Sequence, residues 1–296
     1  MDIIYHLGAH CTDEERLMRC LLKNRALLAE EGIVIPGPAR YRKLMRDTAI
    51  ALKGAPANRD TQEMVLEQIM EADAPRRLVL SWDYFLAYPH WSIRGDLLYP
   101  SAAERVRAFR NIFPHLGCEF FLAIRNPATL LPGLFAKQAA DRERGRSFTD
   151  FFDGADIHAM RWSQTLQSVL DLNPGVRLTV WSDEDTPLIW PEVLQAITDH
   201  APDTVLEDTD ELLEQIMSAD GMARMRAYLE AHPPETAQMR RKIVSTFLDK
   251  FALTERLSQD VALPGWTDDT VRRLTETYER DVACIQAMPQ IRFLSA

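Results

Sequence analysis

The residues best placed to do chemistry lie where an apolar run breaks at glycine: Ile3-Ile-Tyr-His-Leu-Gly8, then Ala9, His10, Cys11, Thr12, and three successive carboxylates, Asp13, Glu14 and Glu15. A strand entering a glycine turn and then a helix is the geometry of a phosphate cradle. Glycine lets backbone approach a ligand closely, and the free amides after it can point at an anion. The charges here are the reverse of what such a cradle needs. No lysine lies in the turn, and the acidic side chains suit a helix N-terminus but oppose a docking polyanion. His10 could act as a base near neutral pH or shape the turn by a local hydrogen bond. His6, alternating with strand residues, reads as scaffold. Cys11, just ahead of a helix, could carry a depressed pKa, yet nothing in the sequence supplies it with a base.

Two further strand ends carry candidate groups. Asp83 follows Arg77-Leu-Val-Leu-Ser81 and reads either as a general base or as a partly buried polar residue. Around it, the aromatic segment from Trp82 to Trp91 could line an acceptor pocket or simply pack the loop. Arg125 follows Glu119-Phe-Phe-Leu-Ala-Ile124, the strongest strand pattern in the chain, and could fork onto a phosphate. Arg142, Arg144 and Arg146 could touch an outer phosphate or sit on an exposed loop. Cys11, Cys20, Cys118 and Cys284 are scattered without zinc spacing, so no metal site is expected. Cys20 and Cys118 read as reduced core thiols.

The elements that must position these groups alternate strand and helix over residues 1–200. That pattern predicts an α/β fold with a mostly parallel sheet and helices on both faces. A helix is expected over 13–31, with Thr12 and Glu15 as a capping box, and a strand at Ile33 to Ile35. The stretch 41–60 reads as polar and irregular. A helix is expected over 62–72, then a strand at 77–81. A loop is expected over 89–100, then a helix from Ser101 to about Phe113. Asn126 caps a helix with Pro127 in its first turn. Further helices are expected over 155–172 and 187–200, around a strand at 176–181. After residue 200 the strand signals vanish, and helices are expected over 212–232, 235–257 and 267–288. The chain is therefore expected to be one domain, with a helical extension over 201–296 packed on the α/β core. In such a sheet, ligands bind beyond the C-terminal ends of the strands, where residues 8–15, 81–84 and 125–133 should converge.

The opening segment, together with Asn24-Arg-Ala-Leu-Leu-Ala-Glu-Glu-Gly-Ile-Val-Ile-Pro36 and Leu122-Ala-Ile-Arg-Asn-Pro-Ala-Thr-Leu-Leu-Pro132, resembles bacterial members of the sulfotransferase superfamily. Weaker similarity runs through Tyr99 to Arg105, Val180 to Ile189 and Gly265 to Leu294. The resemblance implies a P-loop-like fold, the sulfate donor 3′-phosphoadenosine 5′-phosphosulfate, and a small hydroxylated acceptor. Its donor loop maps onto Gly8, Ala9, His10, Cys11, Thr12, Asp13 and Glu14, with Cys11 standing where lysine is expected. Arg125 maps onto the arginine that binds the 3′-phosphate. Gly133 maps onto a serine and has no hydroxyl to offer. Asp83 or His10 would deprotonate the acceptor. The missing lysine would have met charge developing in the transition state, a contact whose loss commonly costs about 3 kcal/mol.

The formal net charge of −10 argues against a general nucleic-acid surface, which needs a basic stripe to follow phosphates. No apolar run reaches membrane-spanning length and no leader pattern opens the chain, so a cytoplasmic location is expected. Three functions stand at this level. One is a sulfotransferase acting on a small metabolite. The second is a degenerate member of that family without donor binding, working as a binding or interaction protein, with a homodimer as one form. The third is an enzyme whose modified loop takes a less anionic substrate.

Overall fold

The computed structural model describes residues 1–70, 75–141, 143–257 and 263–296. The first half contains β1 (Asp2–His6), α1 (Arg16–Lys23), α2 (Arg25–Glu30), β2 (Ile33–Val34), α3 (Pro38–Leu52), α4 (Arg59–Ile69), β3 (Arg77–Ser81), a small hairpin of β4 (Ile93–Arg94) and β5 (Leu97–Leu98), α5 (Ala102–Arg110), β6 (Gly117–Ile124) and α6 (Pro127–Ala139). There follow α7 (Phe148–Phe151), α8 (Trp162–Leu172), β7 (Arg177–Ser182), α9 (Thr186–Thr198), α10 (Glu211–Ile216), α11 (Ala219–Ala231), α12 (Ala237–Phe251), α13 (Thr254–Leu257), α14 (Asp268–Gln286) and β8 (Ile291–Leu294).

Six strands form one sheet in the order β2-β3-β1-β6-β7-β8, and every neighbouring pair is parallel. After β1 the chain leaves toward β2 on one side, and after β6 it leaves toward β7 on the other. The loops following these two adjacent strands therefore diverge and open a crevice between them, the usual ligand position in a parallel sheet. Residues 8–15 and Arg125 stand at that crevice.

Period-two alternation along β1 divides the core. Ile3, Tyr5 and Leu7 face one layer, where Tyr5 stacks on Phe120 and meets Phe85 edge-on, among side chains of α3, α5, α6 and α8. Ile4 faces the other, with Val79, Phe121 and Trp181 packed under α1, α2 and α9. A third, smaller cluster of Leu213, Met217, Met222, Met225 and Val244 belongs to the helices after residue 210. Among the described residues no helix is long and apolar enough to cross a membrane.

Several expectations are corrected. The first helix is two: the side chain of Asn24 donates to Cys20 and Glu207 carbonyls and accepts from the Glu207 amide, which ties the chain down between α1 and α2. The stretch from residue 41 is not irregular. Pro38 opens α3 at its first turn, and its buried Tyr41, Met45 and Thr48 recur at helical spacing among polar neighbours that mask the period. Residues 89–100 hold the β4–β5 hairpin, which turns at Gly95 with a φ of 55°. The helix expected over 155–172 begins only at Trp162, and that over 212–232 divides into α10 and α11. The helix expected over 62–72 starts earlier, at Arg59, and stops at Ile69, where Met70 is extended; residues 71 and 72 lie outside the described residues. Strand structure does not end near residue 200, since β8 pairs with β7 through Leu178 to Ile291 and onward. Four residues at a sheet edge carry too little pattern to be read as a strand beforehand.

The helical C-terminal third braces the crevice from behind. On α14, buried Asp281 accepts from the amides of Trp162 (2.7 Å) and Ser163 (3.2 Å) and so caps α8 in trans. Trp162 in turn donates its indole N–H to the carbonyl of Arg125 at 2.8 Å. Removing the carboxylate strands two amides, so Asp281→Ala is expected to lower stability by about 1–3 kcal/mol. Asp281→Asn, which keeps an acceptor, should lose distinctly less; urea denaturation followed by tryptophan fluorescence measures both.

Candidate functional site

Residues 8–15 form a tight loop rather than the first turn of a helix. Gly8, Cys11, Glu14 and Glu15 all have positive φ, at 53°, 66°, 50° and 67°. Gly8 is required by contact as well as by φ, because a Cβ there would sit 3.3 Å from the Asp83 Cα. Left-handed backbone at three non-glycine residues costs on the order of 1 kcal/mol or more each and is stored where surrounding contacts enforce it.

Those contacts are internal. The His10 amide donates to the Tyr99 hydroxyl at 3.0 Å, the Thr12 amide to the Ala9 carbonyl, and the Arg16 amide to the Asp13 carbonyl. The expected capping box does not form. Thr12 Oγ1 donates back to the Ala9 carbonyl, Glu15 reaches Arg42 at 2.7 Å, and Asp13 takes the capping role by accepting from the Leu17 amide at 2.9 Å. The three carboxylates thus face different ways. Asp13 turns inward, and burial raises its pKa to about 6 against the opposing hydrogen bond from Leu17. Glu14 and Glu15 are exposed.

Two cavities flank this loop and share Cys11 and Glu14. One, of about 580 Å³, is lined by Thr12, Arg16, Arg125, Asp183 and Glu184 and reaches Arg256 of the helical third. The other, of about 510 Å³, is lined by Gly8, Ala9, Asp13, Arg42, Asp83 and Lys137. The loop is the wall between them.

In the first cavity Arg125 is held by the protein itself. Its guanidinium donates to the Cys11 carbonyl and, at 2.9 Å, to Thr129 Oγ1, and it lies 3.5 Å from the Asp183 carboxylate. Asp183 is largely buried, and burial lifts its pKa to about 7 despite Arg125 beside it, with Glu184 pushing the same way. Glu184 accepts from the Asn126 amide at 2.8 Å and the Tyr278 hydroxyl at 2.9 Å. Asn126 caps α6 as expected, accepting from the Ala128 amide.

In the second cavity the Lys137 ammonium meets Asp83 at 3.2 Å. Burial raises the Asp83 pKa while Lys137 opposes it; for Lys137, burial pulls downward and Asp83 more than offsets it. Lys137 stands one helical turn beyond Gly133 on α6, a spacing that could have flagged it in the sequence. Asp183 carries no such local signal.

Packing constrains three of the expected site residues. His10 is fully buried, with Nδ1 2.9 Å from the Tyr99 hydroxyl, and burial lowers its pKa to about 3. It stays neutral and lines neither cavity, so it shapes the turn. Burial raises rather than depresses the Cys11 pKa. Gly133 faces Cys11: a Cβ would lie 2.8 Å from the sulfur, which leaves no room for a hydroxyl-bearing side chain. Arg144 and Arg146 are exposed, and Arg142 lies outside the described residues. His6 is scaffold, its ring stacked on Trp181 and Nδ1 2.8 Å from Ser81 Oγ.

Two measurements follow from this packing. Gly133→Ser should lower the melting temperature through its clash with Cys11, by about 1–3 kcal/mol of stability. Adding Cys11→Ala should recover most of that loss, which a double-mutant cycle reads as coupling. The second measurement concerns pH. Buried neutral His6 and His10, with pKa values lowered to about 4 and about 3, bind fewer protons folded than unfolded, so they make stability rise with pH up to about 6.5. Asp13 and Asp183, raised to about 6 and about 7, bind more protons folded and make stability fall from about pH 4 upward. The two effects oppose each other in the wild type. Asp183→Asn removes one side, so its urea midpoint, relative to wild type, should increase as the pH is raised from about 4.5 to about 7.

A scan against protein-family models found no match to this chain, and searches of curated proteins and of solved structures found none either.

Proposed function

We propose that this chain is a sulfotransferase-type, P-loop-like scaffold that has given up its nucleotide donor at neutral pH and binds a small neutral or cationic hydroxylated molecule beside the loop. The order of the parallel strands, and the placing of residues 81–84 and 125–129 in the two cavities on either side of the loop 8–15, support the ancestry. One observation carries the loss of the donor: Arg125, the cation expected to hold the 3′-phosphate, is already engaged by Asp183 and the Cys11 carbonyl. A phosphate arriving there would have to displace a buried carboxylate, and the loop amides of His10 and Thr12 have protein acceptors.

The ligand class follows from the charges of the second cavity. Arg42 is paired with Glu15 and Lys137 with Asp83, which leaves Asp13 and Glu14 as the excess charge on its wall. That field repels polyanions and favours neutral or cationic hydroxylated ligands. Asp83, with its pKa raised by burial, would accept a hydrogen bond from such a hydroxyl.

A specific feature favours the second reading, sulfuryl transfer from 3′-phosphoadenosine 5′-phosphosulfate. Lys137 enters the cavity beside Cys11, the position where the family's loop lysine is expected, and brings a cation from α6 instead. In that case Lys137 would meet charge on the transferring group and Asp83 would take the acceptor's proton.

Calorimetry with 3′-phosphoadenosine 5′-phosphate at pH near 8 separates the two. The first reading expects no heat of binding at millimolar nucleotide, and appearance of affinity when Cys11→Lys is combined with Asp13→Gly, Glu14→Thr and Glu15→Thr. Micromolar binding to the unaltered chain, abolished by Arg125→Ala, would overturn it in favour of transfer.

A further inference from the structure

A further groove lies far along the sequence, on the outer face of the helical third. Helices α11 and α12 form a hairpin joined through Pro233 and Pro234. They come close together at Gly221, where a Cβ would lie 2.4 Å from the Phe251 Cβ. Met222, Met225 and Val244 fill the inner side of the pair. The outer side is left open as a groove of about 770 Å³.

Its floor is an unbroken aromatic strip. The His232 and Tyr228 rings stack at 4.5 Å, Tyr228 meets Phe247 at 6.0 Å, and Phe247 meets Phe251 at 6.0 Å. Met239 is 51% exposed and Tyr228 44%, high values for large apolar side chains. The rim is cationic: Arg224, Lys242 and Lys250 line the groove, and among the described residues no carboxylate does. Arg224 lies over the Phe251 ring and pairs with Asp220 outside the groove. Among the described residues Lys242 and Lys250 have no ion-pair partner. On a protein of net charge −10, an apolar groove edged by three cations is a local inversion of the field.

We propose that this groove is a docking site for an acidic amphipathic helix of a partner protein. The groove runs along α12 from Met239 to Lys250, about 16 Å at 1.5 Å per residue, which is three turns of a bound helix. Apolar side chains of the partner at i, i+3 or i+4, and i+7 lie on the aromatic strip, and its glutamates or aspartates meet Lys242, Lys250 and Arg224. A second copy of this chain, packed face to face, would bring these cationic rims against each other. An anionic membrane surface calls for a protruding apolar face, and this one is concave. Exposed methionine and aromatic side chains give the surface adaptable packing. The site is remote from the loop and does not depend on what the loop holds.

The probe is a fluorescein-labelled peptide of about 16 residues, with leucine at i, i+3, i+4, i+7 and i+11 and glutamate and alanine elsewhere. A counterpart carries lysine at every glutamate position. Titrated with the full chain, the acidic peptide should show saturable anisotropy that weakens with salt, and the basic peptide should not bind. Lys242→Glu with Lys250→Glu should weaken the acidic peptide at least about tenfold, and Met239→Glu with Tyr228→Ser should do likewise. These four side chains are exposed, so circular dichroism of the variants should match wild type. Equal binding of both peptides, affinity unchanged by the charge reversals, or no binding at millimolar peptide would overturn the proposal. So would self-association lost in the Lys242→Glu, Lys250→Glu variant, or charge-dependent binding confined to phosphatidylglycerol vesicles.

Discussion

The engagement of Arg125 by Asp183 and the Cys11 carbonyl is the contact on which the site depends. A guanidinium at the end of β6 would otherwise be a buried, unpaired cation facing the crevice, an expensive state. Its partners come from three separate elements: the loop after β1, the end of β7 and the first turns of α6. Holding the Cys11 carbonyl fixes the loop's path, and holding Asp183 fixes the start of the segment that leads into α9. The arginine therefore acts as a clasp across the crevice, whereas in an open anion site the same group would be left to the ligand.

The rest of the site is built to keep that clasp closed. Gly133 brings α6 against Cys11, Tyr99 holds both the amide and the ring of His10, and Trp162 holds the Arg125 carbonyl. Trp162 is itself positioned by Asp281 from α14, so the helical third supports the crevice although it lends few groups to its lining. The loop's left-handed residues are affordable only inside this frame. Buried neutral histidines and half-buried, proton-retaining aspartates then set opposing responses to pH.

Much of the crevice was legible in advance. The apolar run ending at Gly8, the strand ending at Arg125 and the Asn126-Pro127 cap are local patterns, and parallel pairing of their strands puts them side by side. The helix of residues 38–52 escaped notice because its buried positions are few and its other faces polar. Strand β8 escaped because four residues carry no period. Lys137 had a local signal, its helical spacing from Gly133, but only the fold says what that face of α6 meets. Asp183 lies between the strand expected at 176–181 and the helix expected over 187–200, and nothing local couples residue 183 to residue 125.

What the sequence alone determined is the parallel α/β architecture, the ends of its central strands and the anionic character of the loop, because each depends on neighbours along the chain. What only the tertiary structure decided is which charges cancel which. Asp13, Glu14 and Glu15 look alike in order, yet one is half-buried and capping, one faces both cavities and one is paired with Arg42. The reason is physical: a side chain's charge state and availability depend on burial and on partners brought from distant segments, and those distances exist only once the sheet has formed.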